Sequence, residues 1–167
     1  ITGYFTGTPS TAVYTTPSNP KYQPVATSAV SVPKLGVVLP VAASTSAGSL
    51  TTLASRGFAA AWSTNVKVAS VGNVMLFGHR TTSGGPFRYL NRMRPGDTFS
   101  LIGADLRSYN YRVVYVAVTS PAYAAVHSLT ANYGPITAQL VACSKADGSP
   151  TSLKYRITVT GRLVSVT

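Results

Sequence analysis

One thiol, two imidazoles and nine guanidinium groups are the side chains of this sequence best suited to catalytic chemistry. A nucleophile needs a proton donor and acceptor, and a group to hold the negative charge that develops as it attacks. Cys143 is the sole thiol and so the candidate nucleophile, His79 and His127 are candidate acid–base groups, and the charge stabiliser must be sought among the arginines. Strand periodicity narrows that search. ITAQLVAC at residues 136–143 and KYRITVTG at 154–161 read as successive strands, joined through Gly148-Ser149-Pro150, which is turn chemistry. Side chains alternate along a strand, so Cys143 shares a face with Val141, and Arg156 shares one with Thr158 and Thr160. Neighbouring strands lie about 5 Å apart, which brings Arg156 within reach of Cys143. His79 follows the apolar run NVMLF, at a strand end where a scaffold presents a side chain rigidly. His127 lies in the looser stretch SPAYAAVHSLTANYG and has the weaker case. Taken singly these residues are ordinary. A lone cysteine is most often a small buried hydrophobe, and the cluster Arg80, Arg88, Arg92 and Arg94 reads as a basic surface patch.

The elements that must position them are mostly strands. The chain has 167 residues, 45% of them hydrophobic, enough for one domain with a sizeable core. Residues 30–41 carry Val, Leu and Ala broken by Pro33, Gly36 and Pro40, the pattern of short edge pieces with a bend. Strand signals recur at residues 73–77, 97–102, 109–118, 136–143 and 153–166. Short helices are expected at residues 49–54 and at 87–93, where Phe87, Leu90 and Met93 share a helical face. Residues 1–29 are rich in Thr, Ser and Pro and read as an N-terminal arm or linker; residues 30–167 form the folded domain. The fold class is all-β, a barrel or sandwich with small connecting helices.

Composition excludes several chemistries. Fourteen Lys and Arg face three Asp and no Glu, giving a net charge of +11. A calcium cage or a two-metal site has almost no carboxylates to be built from. A glycosidase-type pair would have to come from Asp97, Asp105 and Asp147. With one cysteine there is no internal disulfide and no CxxC zinc site. No apolar run of about 18 residues is present to span a membrane. Because the chain begins at Ile1 rather than Met, it is expected to be a processed or trimmed product, with any signal or anchor out of view.

Against that background, GHRTTSGGPF at residues 78–87, followed by Leu90 and Pro95-Gly96-Asp97, resembles the histidine segment of the sortases. Their cysteine segment reads T-L-x-T-C before a loop and an arginine-bearing strand. LVAC at 140–143 and YRITVTGRLV at 155–164 are similar and stand in the same order. VPKLGVVLPV at 32–41 resembles the family's first-strand signature. The likeness covers about residues 30–167, and the wording of the histidine segment is most like class E, the housekeeping type of high-GC Gram-positive bacteria. Two positions depart from the pattern: Ala142 and Gln139 stand where threonines are usual.

The resemblance implies an eight-stranded β-barrel transpeptidase with His79, Cys143 and Arg156 as its catalytic set and no cofactor or metal. It implies cleavage of an LPxTG- or LAxTG-type sorting signal between Thr and Gly through a Cys143 thioacyl-enzyme, and transfer to an amine such as that of a cell-wall precursor. It also implies a catalytic domain on the outer face of the bacterial plasma membrane, held by an N-terminal anchor outside this chain. Three other readings stay open: a sortase-fold protein with lost or altered activity, a basic barrel that binds nucleic acid through its charge and ten tyrosines, and a zinc site of His79, His127 and Cys143. The scarcity of carboxylates yields a direct test. Whatever activity the chain has is expected to be unchanged by millimolar calcium, and a strong rise in rate on adding calcium would contradict the reading.

Overall fold

The computed structural model describes residues 5–7, 25–62, 67–68, 72–122, 124 and 136–167. Its strands are β1 (Phe5–Gly7), β2 (Val25–Val32), β3 (Val37–Ser44), β4 (Ala59–Trp62), β5 (Lys67–Val68), β6 (Gly72–Phe77), β7 (Thr98–Gly103), β8 (Ser108–Thr119), β9 (Ile136–Ser144) and β10 (Tyr155–Val166). Helix α1 spans Ala47–Ser55. The arm expected at residues 1–29 falls mostly outside the described residues, and so does His127.

Pairing runs β8-β10-β9-β6-β4-β3-β2, and β7 joins β2 back to β8, so eight strands close into a barrel. Closure leaves no long sheet edge open. The two short strands lie off this ring, β1 against β8 and β5 against the start of β2. Inside, alternate residues of each strand form the core: Val30 and Val32 from β2, Val74 and Leu76 from β6, Ala138, Leu140 and Ala142 from β9, Ile157 and Val159 from β10. The breaks at residues 30–41 become a 3₁₀ turn at Pro33–Leu35 between β2 and β3.

Two elements differ from the sequence expectation. The helix expected over residues 87–93 is a set of turns with a 3₁₀ turn at Leu90–Arg92. The spacing of Phe87, Leu90 and Met93 does report burial, since all three are fully buried in the core. Strand β4 carries no sequence signal, because AAAW is as compatible with helix as with strand. Its reason is steric. Ala59 and Ala61 face the barrel core while Ala60 packs against Leu50 and Ala54 of α1, so both faces are covered at close range and only small side chains fit.

Helix α1 begins where Ser46 accepts a hydrogen bond from the Ser49 amide at 3.2 Å, an N-cap that satisfies one otherwise unpaired donor. Leu50 and Ala54 then bind its apolar side to the outside of the barrel.

Gly161 sits at a register shift between β10 and β8. A Cβ there would lie 2.7 Å from Phe99 Cε1 and 3.0 Å from Tyr111 Cβ, inside the stacked Phe99–Tyr111 pair whose centroids are 5.4 Å apart. Gly161→Ala is therefore expected to lower unfolding free energy by about 1–3 kcal/mol, the usual cost of overpacking, read as a lower urea midpoint at unchanged slope.

Candidate active site

Strands β6 and β9 run parallel, with Phe77 level with Val141, and the ladder continues as the Gly78 amide donates to the Val141 carbonyl at 3.1 Å. His79 and Cys143 each follow two residues beyond the last paired positions, Phe77 and Val141. On the other side β9 and β10 run antiparallel, with Cys143 directly opposite Arg156. The three residues thus form a row across adjacent strands. Ala142 and Ile157 point into the core on the opposite face, so the row faces the outside of the barrel.

That outer face is roofed. Leu50, Thr51 and Ala54 of α1, with Pro121 and Ala124 from the segment after β8, enclose a cavity of about 420 Å³ over Met75, Phe77 and Val141. His79, Cys143 and Arg156 all line it and all are half-buried. The volume suits a small ligand or a few residues of a peptide.

Arg156 is held by its own turn. Its Nη1 donates to the carbonyls of Leu153 at 2.8 Å and Tyr155 at 2.9 Å. Its Nε and Nη2 make no bond to any described residue, which leaves donors for a developing oxyanion. His79 is held by α1. Ser55 Oγ lies 3.2 Å from His79 Nε2 and donates to the Thr51 carbonyl at 2.9 Å. A hydroxyl has one hydrogen; with it on the Thr51 carbonyl, Nε2–H donates to Ser55. The nitrogen left to give or take a proton is Nδ1.

Gly78 permits this placement. A Cβ on it would lie 2.5 Å from the ring of Phe87, which is fully buried against the chain just before His79.

The structure corrects one reading and extends another. Arg80 is not part of a surface patch: it is 2% exposed, whereas Arg88, Arg92 and Arg94 are exposed. Its guanidinium donates to the carbonyls of Arg88 (2.9 Å), Cys143 (3.1 Å) and Gly148 (3.1 Å) and to Asn91 Oδ1 (3.2 Å). Burial pulls it down from the ordinary arginine range to about 10; Cys143 opposes that fall and Arg88 adds to it. It stays protonated near neutrality. Gln139 lies fully buried on the Cys143 face, where it accepts from Asn73 Nδ2 at 2.6 Å and donates to Thr160 Oγ1 at 3.0 Å. It therefore ties β6, β9 and β10 together below the row.

The carboxylates lie elsewhere. Asp97 accepts from Lys34 Nζ at 2.7 Å, Asp105 from Tyr109 Oη at 2.7 Å and Asp147 from Ser149 Oγ at 2.6 Å, and none lines the cavity.

A family model for the sortase domain matches residues 30–164. The chain belongs to the sortase family. Sortase SrtE1 of Streptomyces coelicolor is 36% identical over 98 residues, which is 57% of this chain and 28% of that protein. This sortase therefore matches less than a third of that relative's length. The crystal structure of Sortase E1 from Streptomyces coelicolor, with a tripeptide in its active site, aligns with TM-score 0.68 and 29% identity over 85% of this chain and 90% of that one. Both agree with the class E wording of residues 78–87. The SrtA sortase of Actinomyces oris shares the fold at TM-score 0.69 and 18% identity, over 87% of this sortase and 82% of its own chain.

The Ser55 contact is testable without any substrate. Imidazole nitrogen NMR is expected to show His79 as the Nε2–H tautomer. Ser55→Ala removes a bond worth about 1 kcal/mol and should shift the tautomer ratio roughly fivefold toward Nδ1–H, with Ser55→Thr restoring it. An unchanged ratio in Ser55→Ala would mean that the hydroxyl does not set the tautomer.

Proposed function

We propose that this sortase is a cysteine transpeptidase that cleaves an LPxTG- or LAxTG-type sorting signal between Thr and Gly and passes the acyl group to an amine, such as that of a cell-wall precursor. The observation that carries this reading is the row of His79, Cys143 and Arg156 along one half-buried cavity. A thiol, an imidazole and a guanidinium are together the parts that acyl transfer needs.

The steps follow from the geometry. The peptide lies in the cavity with its apolar side chains against Leu50, Ala54, Met75 and Phe77. That the Streptomyces coelicolor E1 enzyme holds a tripeptide in its active site supports a peptide of this size. The Cys143 thiolate attacks the carbonyl carbon of the Thr residue, and the oxyanion takes hydrogen bonds from the unpaired donors of Arg156. As the C–N bond breaks, the His79 imidazolium gives a proton from Nδ1 to the leaving Gly amine, and a thioester remains on Cys143. The acceptor amine then attacks the thioester carbonyl and loses a proton to His79 Nδ1. The C–S bond breaks, and a new amide and the thiolate–imidazolium pair result. A net charge of +11 suits work beside an anionic wall or membrane surface, on the outer face of the plasma membrane.

Mass spectrometry after incubation with LPxTG and LAxTG peptides, with and without an amine, tests each step. The expected product is Cys143 carrying the peptide up to Thr, discharged when amine is added. Cys143→Ala should give no adduct and no cleavage. Arg156→Ala should slow acylation by about 100- to 1,000-fold, the usual cost of an oxyanion donor. Cleavage retained in Cys143→Ala would overturn the reading.

A further inference from the structure

Among the described residues, Arg80 is the sole charged side chain that is fully buried. Four of its five N–H groups are engaged, and every partner is a neutral oxygen. Burying a charge is costly unless it is hydrogen-bonded and paired. Here the hydrogen bonds are present and the counter-charge is not. The one carboxylate in the adjoining turn, Asp147, is bound to the amide and hydroxyl of Ser149. The guanidinium bonds the backbone carbonyl of the cysteine itself, together with carbonyls on two other segments.

We propose that Arg80 is a positioning residue for Cys143: its guanidinium locks the cysteine carbonyl and the turn at residues 145–149 against residues 88–91. The proposal rests on Cys143 being the nucleophile. The geometry makes one cation the shared hinge point of three segments. Arg88 and Asn91 belong to the segment after His79, Cys143 to the end of β9, and Gly148 to the turn that leads to Arg156. Loss of the guanidinium would free all three row residues to drift relative to one another. The other charged or titratable groups on elements around Cys143 are His79 at the end of β6, Lys154, Tyr155 and Arg156 at the start of β10, Arg88 in the preceding segment, and Lys145 and Asp147 in the turn. Helix α1 contributes none.

Charge and geometry separate in two variants. Arg80→Met removes both. The kcat for peptide cleavage should fall with KM little changed. Arg80→Lys keeps the charge, but an ammonium cannot reach four acceptors spread around a planar fork. Its kcat should therefore fall about tenfold as well. A folded Arg80→Met with the parent's kcat, and only a lower Tm, would make the role merely structural and overturn the proposal. Parental kcat in Arg80→Lys would do the same. If circular dichroism finds Arg80→Met unfolded, Arg80→Lys and Asn91→Ala decide, and parental kcat in both overturns it. A parent chain that forms no thioester with any sorting peptide would refute the transpeptidase reading, whereas a thioester-forming parent matched in kcat by its Arg80 variants would refute the positioning role alone.

Discussion

The backbone ladder that joins β6, β9 and β10 is the constraint on which the rest depends. One of its two seams is antiparallel and sets residue 156 opposite 143; the other is parallel and runs to Phe77 and Val141, two residues short of His79 and Cys143. Strand spacing is fixed by hydrogen-bond length, so the backbones of Cys143 and Arg156 start about 5 Å apart. The placement of that pair is thus inherited from the strand ladder. Side-chain contacts refine it: Ser55 contacts the imidazole, the carbonyls of 153 and 155 hold the guanidinium of Arg156, and Gln139 bridges the same three strands four residues further down β9.

Much of this was legible in the sequence because strand periodicity is local. The pairing of Cys143 with Arg156 follows from two apolar-alternating runs joined by a short turn. The place of His79 after NVMLF follows from a strand ending at a glycine. What was not legible depended on contacts between distant segments. Arg80 reads as one of four nearby arginines, and only the fold reveals that its neighbours are carbonyls from the far side of the site. Sequence offers one hint, that Arg80 directly follows the histidine within a glycine-rich stretch able to wrap around it. Strand β4 is silent for a related reason: three alanines carry no preference until a helix lies on one side and a core on the other. The missing helix at 87–93 shows periodicity reporting burial rather than backbone conformation.

The charge economy of the chain sharpens the site. With three carboxylates in all, each occupied locally, no acid is spare to neutralise a buried cation or to compete with a thiolate for its partners. The buried arginine is therefore held by neutral oxygens alone, one of them the carbonyl of Cys143 at the end of β9.

The roof and the floor of the cavity are built by different forces. The floor is ladder hydrogen bonding between long strands. The roof is a nine-residue helix bound chiefly through Leu50 and Ala54, with Leu53 and Phe77 packed alongside. Exchanging those few apolar contacts would reshape the cavity while leaving the strand pairing of Cys143 with Arg156 in place. The pocket's shape can drift during evolution, or be redesigned, on an unchanged floor.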